Sequence, residues 1–145
     1  LLVRVGRDGR IAIPISQVAR LEQLSVDCIE YAEGAEVIQY GGEIIPVLHV
    51  AQLLGYPMEE ARRNSLSMVV YSDQRRSVAL LVDQILDIVE TPYEIRRVSH
   101  RGGIVGSAVI QQKVTDLLDL RSLVQTVMPN FFPSPSHDQV TTHGQ

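Results

Sequence analysis

Tryptophan is absent from this chain, and cysteine occurs once, at Cys28. A lone cysteine forms no intrachain disulfide, and such usage fits a reducing compartment. The whole aromatic content is five Tyr and two Phe, so the core must be built from Val, Ile, Leu and Ala. Long apolar runs are missing: none approaches the roughly 18 residues of a membrane-spanning helix. A charged-then-apolar leader is missing too. The chain opens on Leu1 in strand-like text, LLVRV, which reads as a piece cut from a longer polypeptide. Positive charge is also scarce, with 13 Lys and Arg against 17 Asp and Glu and a net charge of −4. A weakly acidic chain argues against nucleic acid and against insertion into or adsorption on anionic lipid, which call for a basic face.

What is present is aliphatic and short in period. Of 145 residues, 45% are apolar, enough for a real core in one ordinary domain or two very small ones. Brief β-branched stretches favour strands. The stretch VALLVDQILDI, residues 78–88, echoes IAIPISQVARL, residues 11–21. Ala12 meets Ala79, Gln17 meets Gln84, and apolar residues face apolar residues at most of the rest. The echo continues between EVIQYGGEIIPVLHVAQLL, residues 36–54, and GSAVIQQKVTDLLDLRSLV, residues 106–124. Gly41-Gly42 falls on Gln111-Gln112, a two-residue hairpin turn in each copy. An ordered repeat of this length means two copies of one small unit.

Each copy reads as five strands and one closing helical turn. The first has strands at 1–5, 10–14, 18–24, 36–40 and 44–50, with a helical turn at 51–54. The second has strands at 65–71, 76–82, 85–90, 104–110 and 114–120, with a helical turn at 121–127. Five short strands in about 60 residues suit a small closed barrel, which leaves no open sheet edges. One such barrel alone is marginal, so two are expected to pack side by side. The fold class is therefore all-β, two pseudo-repeated five-stranded barrels, the first over about 1–56 and the second over about 64–127. From 129 to 145 the text turns to Pro, Ser, Thr and polar residues and reads as a disordered tail or linker.

Reaction chemistry is not spelled out. His49 falls at a strand end, His100 in a loop, and His137 and His143 in the tail, with no metal-ligand spacing among them. Asp83, Asp87, Asp116 and Asp119 could be paired as acid–base groups. Asp83, however, follows an apolar strand at a bend, where carboxylates usually accept backbone hydrogen bonds. GGIVGS, residues 102–107, lacks the spacing and following helix of a phosphate loop, and Ser107 lacks a nucleophile-elbow setting. No catalytic residue, metal or cofactor is assigned. Many strands, two copies and no reactive constellation point to a binding module.

VALLVDQILDIVETP, GSAVIQQKVTDLLDLRSLV and EVIQYGGEIIPVLHVAQLLG resemble the CheW-like domain of bacterial chemotaxis signalling, in order and spacing, over about residues 1–127. The resemblance implies two SH3-like barrels and a cytoplasmic scaffold in receptor arrays. Free coupling proteins of the family carry Asn-Leu-Arg-Gly in the first hairpin and a glutamate on the third strand. Here the hairpin is Gln39-Tyr40-Gly41-Gly42 and the third-strand position is Arg20. AIPISQVARLE and VIQYGGEIIPVL instead resemble the C-terminal regulatory domain of a CheA-type histidine kinase. That resemblance implies a CheW coupling protein, chemoreceptor cytoplasmic tips and the other domains of a parent kinase as partners. ATP chemistry and the phosphoacceptor histidine would lie outside this chain. The expected partner contacts are Leu21, Leu24, Ile88 and Val89 at the barrel ends. The expected receptor groove takes Tyr40 and the strand Val105, Gly106, Ser107 and Ala108. A stand-alone coupling protein is the alternative, and a small-barrel nucleic-acid binder a remote one, since aromatic platforms and a basic groove are both missing.

Overall fold

A computed structural model describes residues 1–59, 64–74, 76–90 and 95–131; within 95–101 it describes the side chains of Ile95, Val98 and Arg101 only. The chain order is β1 (Leu2–Val5), β2 (Gly9–Ala12), β3 (Arg20–Ser25), β4 (Glu30–Ala32), β5 (Ala35–Tyr40), β6 (Glu43–His49), α1 (Val50–Leu54), β7 (Ser65–Asp73), β8 (Arg76–Val82), β9 (Gln84–Asp87), β10 (Ile95–Arg101), β11 (Ile104–Ile110), β12 (Lys113–Leu118) and α2 (Leu120–Val127). The mostly β, two-barrel architecture stands. Each half gains a strand that the sequence did not announce, β4 and β10. His100, expected in a loop, lies on β10.

The division of the chain between the barrels differs from the expected 1–56 and 64–127. One sheet runs β3-β7-β8-β6-β5-β4 and the other β10-β11-β12-β2-β1-β9. Residues 20–82 therefore form one continuous barrel, inserted between the first hairpin and the last four strands of the other. We call them the inserted and the split barrel. The repeat survives, but its opening hairpins are exchanged. β1–β2 completes the barrel of the second copy, and β7–β8 completes that of the first. Equivalent parallel pairs seal both exchanges, β6 with β8 and β12 with β2. The crossings occur at equivalent bends of the echo, around Ile15–Gln17 and at Asp83.

The exchange explains why VALLV has no polar face. Strand side chains alternate between faces, yet Val78, Ala79, Leu80, Leu81 and Val82 are all buried. Ala79 and Leu81 look into the inserted barrel with Leu24, Ile38, Ile45, Val47, Met68 and Val70. Val78, Leu80 and Val82 look outward into a larger core between the barrels, which also takes Val3, Ile11, Val69, Leu118, Leu120 and Leu123. A smaller cluster of Leu2, Ala108, Ile110 and Leu117 fills the split barrel. The molecule is thus held chiefly by the contact between its barrels.

The matching hairpin turns confirm the alignment. Gly41 and Gly42 have φ of 57° and 81°, and Gln111 and Gln112 have φ of 54° and 65°. Positive φ at both central positions is the hairpin turn that fits the strand twist. Glycine adopts it freely, whereas each glutamine bears a left-handed penalty of roughly 1–2 kcal/mol. The Gln111 side chain bonds Asp87 and Arg10. Gln112→Gly should therefore stabilise the fold by about 1 kcal/mol, raising the denaturant midpoint with the slope unchanged. An unchanged or lower midpoint would refute this reading of the turn.

The expected tail begins later than 129. Pro129–Phe131 forms a 3-10 turn, and Phe131 is buried beside Tyr71 at a ring separation of 6.3 Å. The Arg76 guanidinium donates to the Asn130 and Phe131 carbonyls at 2.7 and 3.2 Å. An apolar side chain and two satisfied carbonyls override the proline-rich composition there. The remainder, 132–145, lies outside the described residues.

Candidate functional site

Two concave surfaces flank the split barrel. The first is an apolar groove of about 370 Å³ at its mouth, walled by Leu1, Leu2, Ile13, Ile110, Leu117 and Leu118. Ile15, Ile95 and Val105 stand on its rim, exposed by 51%, 51% and 37%. Pro14 and the 3-10 turn Ile15–Gln17 hold the rim at the first crossing between barrels. Such barrel mouths, apolar inside with few polar groups, are common binding places.

One polar group does border this groove. Asp119, at its edge, caps α2 by accepting the Ser122 backbone N–H at 3.1 Å. It also accepts from the Ser122 hydroxyl and the Gln17 amide. Partial burial works to raise its carboxyl, but these donors outweigh burial and hold it below the ordinary value. Gln17 returns a carbonyl to the Leu120 N–H at 2.7 Å. The pair fixes the first crossing segment to α2, and with it the position of Ile15.

The second surface is a polar cleft between α1 and β10–β12. Its floor is Asp116, which accepts from the Ser107 hydroxyl at 2.8 Å and from the Tyr56 phenol. Burial, then the bond to Asp116, pushes the Tyr56 phenol above its ordinary value. Tyr56 lies against the tight turn of the first hairpin, where a Cβ on Gly9 would sit 2.6 Å from its ring. Asp116, Ser107 and Tyr56 satisfy one another here.

The expected site residues divide sharply. Leu24 is core of the inserted barrel, 8% exposed, and Leu21 packs on the core between barrels. They lie on opposite faces of β3, Leu24 buried and Leu21 only partly so. Gly106 is buried, and Ala108 lies inside the split barrel at 1% exposure. They back the groove without facing a ligand. Ser107 turns away into the polar cleft. Val105 and Val89 do line the groove, and Ile88 is 59% exposed. Tyr40 packs half-buried on the inserted barrel, and the Arg20 guanidinium reaches its hydroxyl at 3.5 Å. It lies in the other barrel, remote in sequence and in sheet from Val105, so the two do not share one groove lining.

Sequence reasoning missed Ile15 and Ile95. A Pro-flanked isoleucine at a bend was the available signal for Ile15. Ile95 was hidden because β10 itself was unread. Asp83 is a turn acceptor as expected, taking the Gly6 backbone N–H. Arg20 and Asp87 stand at equivalent positions of the echo and carry opposite charges, and each reaches a hairpin. Arg20 reaches the first hairpin at Tyr40, and Asp87 accepts from the second at Gln111, 2.7 Å away.

Comparison with known proteins agrees with this architecture. The family model for the CheW-like domain matches residues 1–128. No curated protein matches the chain. Among solved structures, the scaffolding protein TtCheW from Thermoanaerobacter tengcongensis is similar, with a TM-score of 0.56 and 18% identity, over 81% of this chain and 86% of that one. At that identity the likeness speaks for the fold, while the family match spans nearly every described residue: the chain belongs to the CheW-like domain family.

Proposed function

We propose that the chain is a non-catalytic regulatory and scaffolding domain of a CheA-type chemotaxis histidine kinase. In this reading it works in the cytoplasm, binds a CheW-type coupling protein through barrel surfaces and receives chemoreceptor tips, so that receptor state reaches the catalytic parts of the parent kinase. The observation that carries the binding reading is the apolar groove at the split-barrel mouth. Its rim keeps three branched aliphatic residues, Ile15, Ile95 and Val105, in solvent. Exposed aliphatics around a concave apolar floor favour the apolar face of a helical tip. No helix among the described residues is long and apolar enough to cross a membrane.

The kinase reading rests on the face around Arg20. Where coupling proteins of the family pair a third-strand glutamate with a hairpin arginine, this chain sets Arg20 against Tyr40. Likeness to TtCheW favours the stand-alone coupling protein as a second reading. An ATP-binding kinase domain encoded immediately upstream of Leu1 would decide between them.

Val105→Glu and Ile15→Glu test the groove. Both side chains are exposed, so the fold should survive. Each charge should weaken calorimetric binding to a receptor cytoplasmic tip at least tenfold, because it would be buried unpaired. Val109→Glu, at a 51% exposed position outside the groove lining, should leave that affinity within twofold. Unaltered binding by both groove variants would remove the receptor assignment.

A further inference from the structure

The chain after α2 begins a course that the first copy completes. After α1, Tyr56 turns back onto the split barrel, where its phenol donates to Asp116. The Pro57 carbonyl then accepts the Arg7 N–H of the β1–β2 hairpin at 2.8 Å, and Glu59 pairs with Arg4 at 3.2 Å. After α2, Asn130 and Phe131 turn back onto the inserted barrel, where Arg76, at the start of β8, donates to both carbonyls. Beside that clamp lies a groove of about 560 Å³, walled by Ile44, Pro46, Val127, Met128 and Phe131. Ile45 is buried behind it, while Ile44 is exposed by 69%.

We infer that residues 132–136 of the same chain dock in this groove as an extended strap, anchored by Phe132. The occupant follows from where the described chain arrives and from what the sequence places next. Phe131 belongs to the groove wall and its carbonyl is fixed on Arg76, so Phe132 starts one Cα step, about 3.8 Å, from that wall. The residues that follow are Phe132-Pro133-Ser134-Pro135-Ser136. Each proline fixes its own φ and biases the residue before it to extended backbone, so docking has little order left to impose. Proline also lacks an N–H, which reduces the donors that an apolar wall would leave unpaired. An aromatic ring against Ile44 and Met128 removes apolar surface from water on both sides. Residues 132–136 are uncharged, so the strap meets no repulsion from Glu43 on the rim. The tether gives the strap an effective concentration on the order of millimolar, which favours it over a second copy of equal intrinsic affinity. The docked strap covers Ile44, and this face of the inserted barrel opens to another protein only when the strap leaves. The inference stands on the fold and does not depend on the proposed function.

The chain lacks tryptophan, so Phe132→Trp installs a single indole in the full chain and keeps an aromatic ring at the anchor. Its emission should be blue-shifted. Its acrylamide quenching should be roughly threefold or more below that of a synthetic peptide of residues 132–145 with the same substitution. Ile44→Glu, added to that chain, should raise the quenching by roughly twofold or more, because a charge replaces the apolar wall. Ile44→Asn, a neutral change at the same exposed position, should act alike. Circular dichroism melts check that each variant folds. Val109→Glu, outside the groove lining, should leave the quenching unchanged. Shielding should persist through a roughly hundredfold dilution, as an intramolecular contact does. Peptide-like quenching in the full chain, or shielding that neither Ile44 variant reduces, would overturn the docking. Shielding lost on dilution would assign the groove to the segment of a second copy and refute the intramolecular strap.

Discussion

Leu80→Ala is expected to lower the unfolding free energy by about 3 kcal/mol and to weaken both barrels together. Leu80 is fully buried on the face of β8 that looks away from its own barrel, in the core it shares with Val3, Leu118 and Leu120 of the split barrel. Removing its branched end leaves a cavity between two sheets, each held by its own ladder, so collapse around it is limited. Buried Leu→Ala changes cost roughly 2–5 kcal/mol, a large share of the roughly 5–15 kcal/mol that a domain possesses. Leu81, one residue on and 3% exposed, faces the interior of the inserted barrel instead. Leu81→Ala should cost a similar amount.

The two variants together test how the barrels are coupled. Were the barrels independent, Leu81→Ala would unfold the inserted barrel first and leave a second transition unchanged. The exchanged hairpins argue otherwise, since neither barrel is complete without the segment crossing at Ile15–Gln17 or at Asp83. A single urea transition is expected for both variants, the same by far-UV circular dichroism and by hydrogen exchange of β11 and β12. Two separated transitions for Leu81→Ala, or a loss under 1 kcal/mol for Leu80→Ala, would refute the shared core.

Much of this fold was legible in the repeat. The alignment of IAIPISQVARL with VALLVDQILDI located two equivalent bends, and both are crossing points. Gly41-Gly42 over Gln111-Gln112 located two equivalent turns, and all four residues have positive φ. The exchange of hairpins was not legible, and the reason is physical. Residues 78–82 bury both faces, so their pattern cannot say which face belongs to which core. β4 has three residues, and β10 reads IRRVSHR with only Ile95 and Val98 apolar, three apart, so neither shows the apolar period that marks a strand. In the candidate site, Val105 and Val89 line the apolar groove, since they flank apolar strands that end at the barrel mouth. Leu24 and Ala108 are buried, and sequence alone does not separate an apolar residue facing a partner from one facing the core.

Gly6→Ala is expected to be far more damaging than the same change at Gly34, although both glycines are left-handed, with φ of 64° and 81°. At Gly34 a Cβ meets nothing within 4 Å, so Gly34→Ala should cost only the conformational penalty of roughly 1–2 kcal/mol. At Gly6 the Cβ would run into the Pro57 carbonyl oxygen. That oxygen is held in place by the Arg7 N–H at 2.8 Å. Gly6 itself donates to Asp83 and accepts from Arg4, whose guanidinium also pairs with Glu59 at 3.2 Å. Backbone on both sides leaves no flexible group to give way, so overpacking adds about 1–3 kcal/mol to the conformational penalty. The relief must come from the linker after α1, which carries Tyr56 onto Asp116. Two measurements follow. Urea unfolding should place Gly6→Ala below Gly34→Ala by at least 1 kcal/mol. Ultraviolet titration should show the Tyr56 phenol ionising earlier than in wild type. In the wild type its raised folded pKa means that its contribution to stability is complete below about pH 10, the ordinary tyrosine value, and is lost as pH rises beyond it. Gly6→Ala should shrink that alkaline loss. Equal stability of the two glycine variants, with unchanged tyrosine titration, would show that the linker yields freely and does not clamp the two barrels.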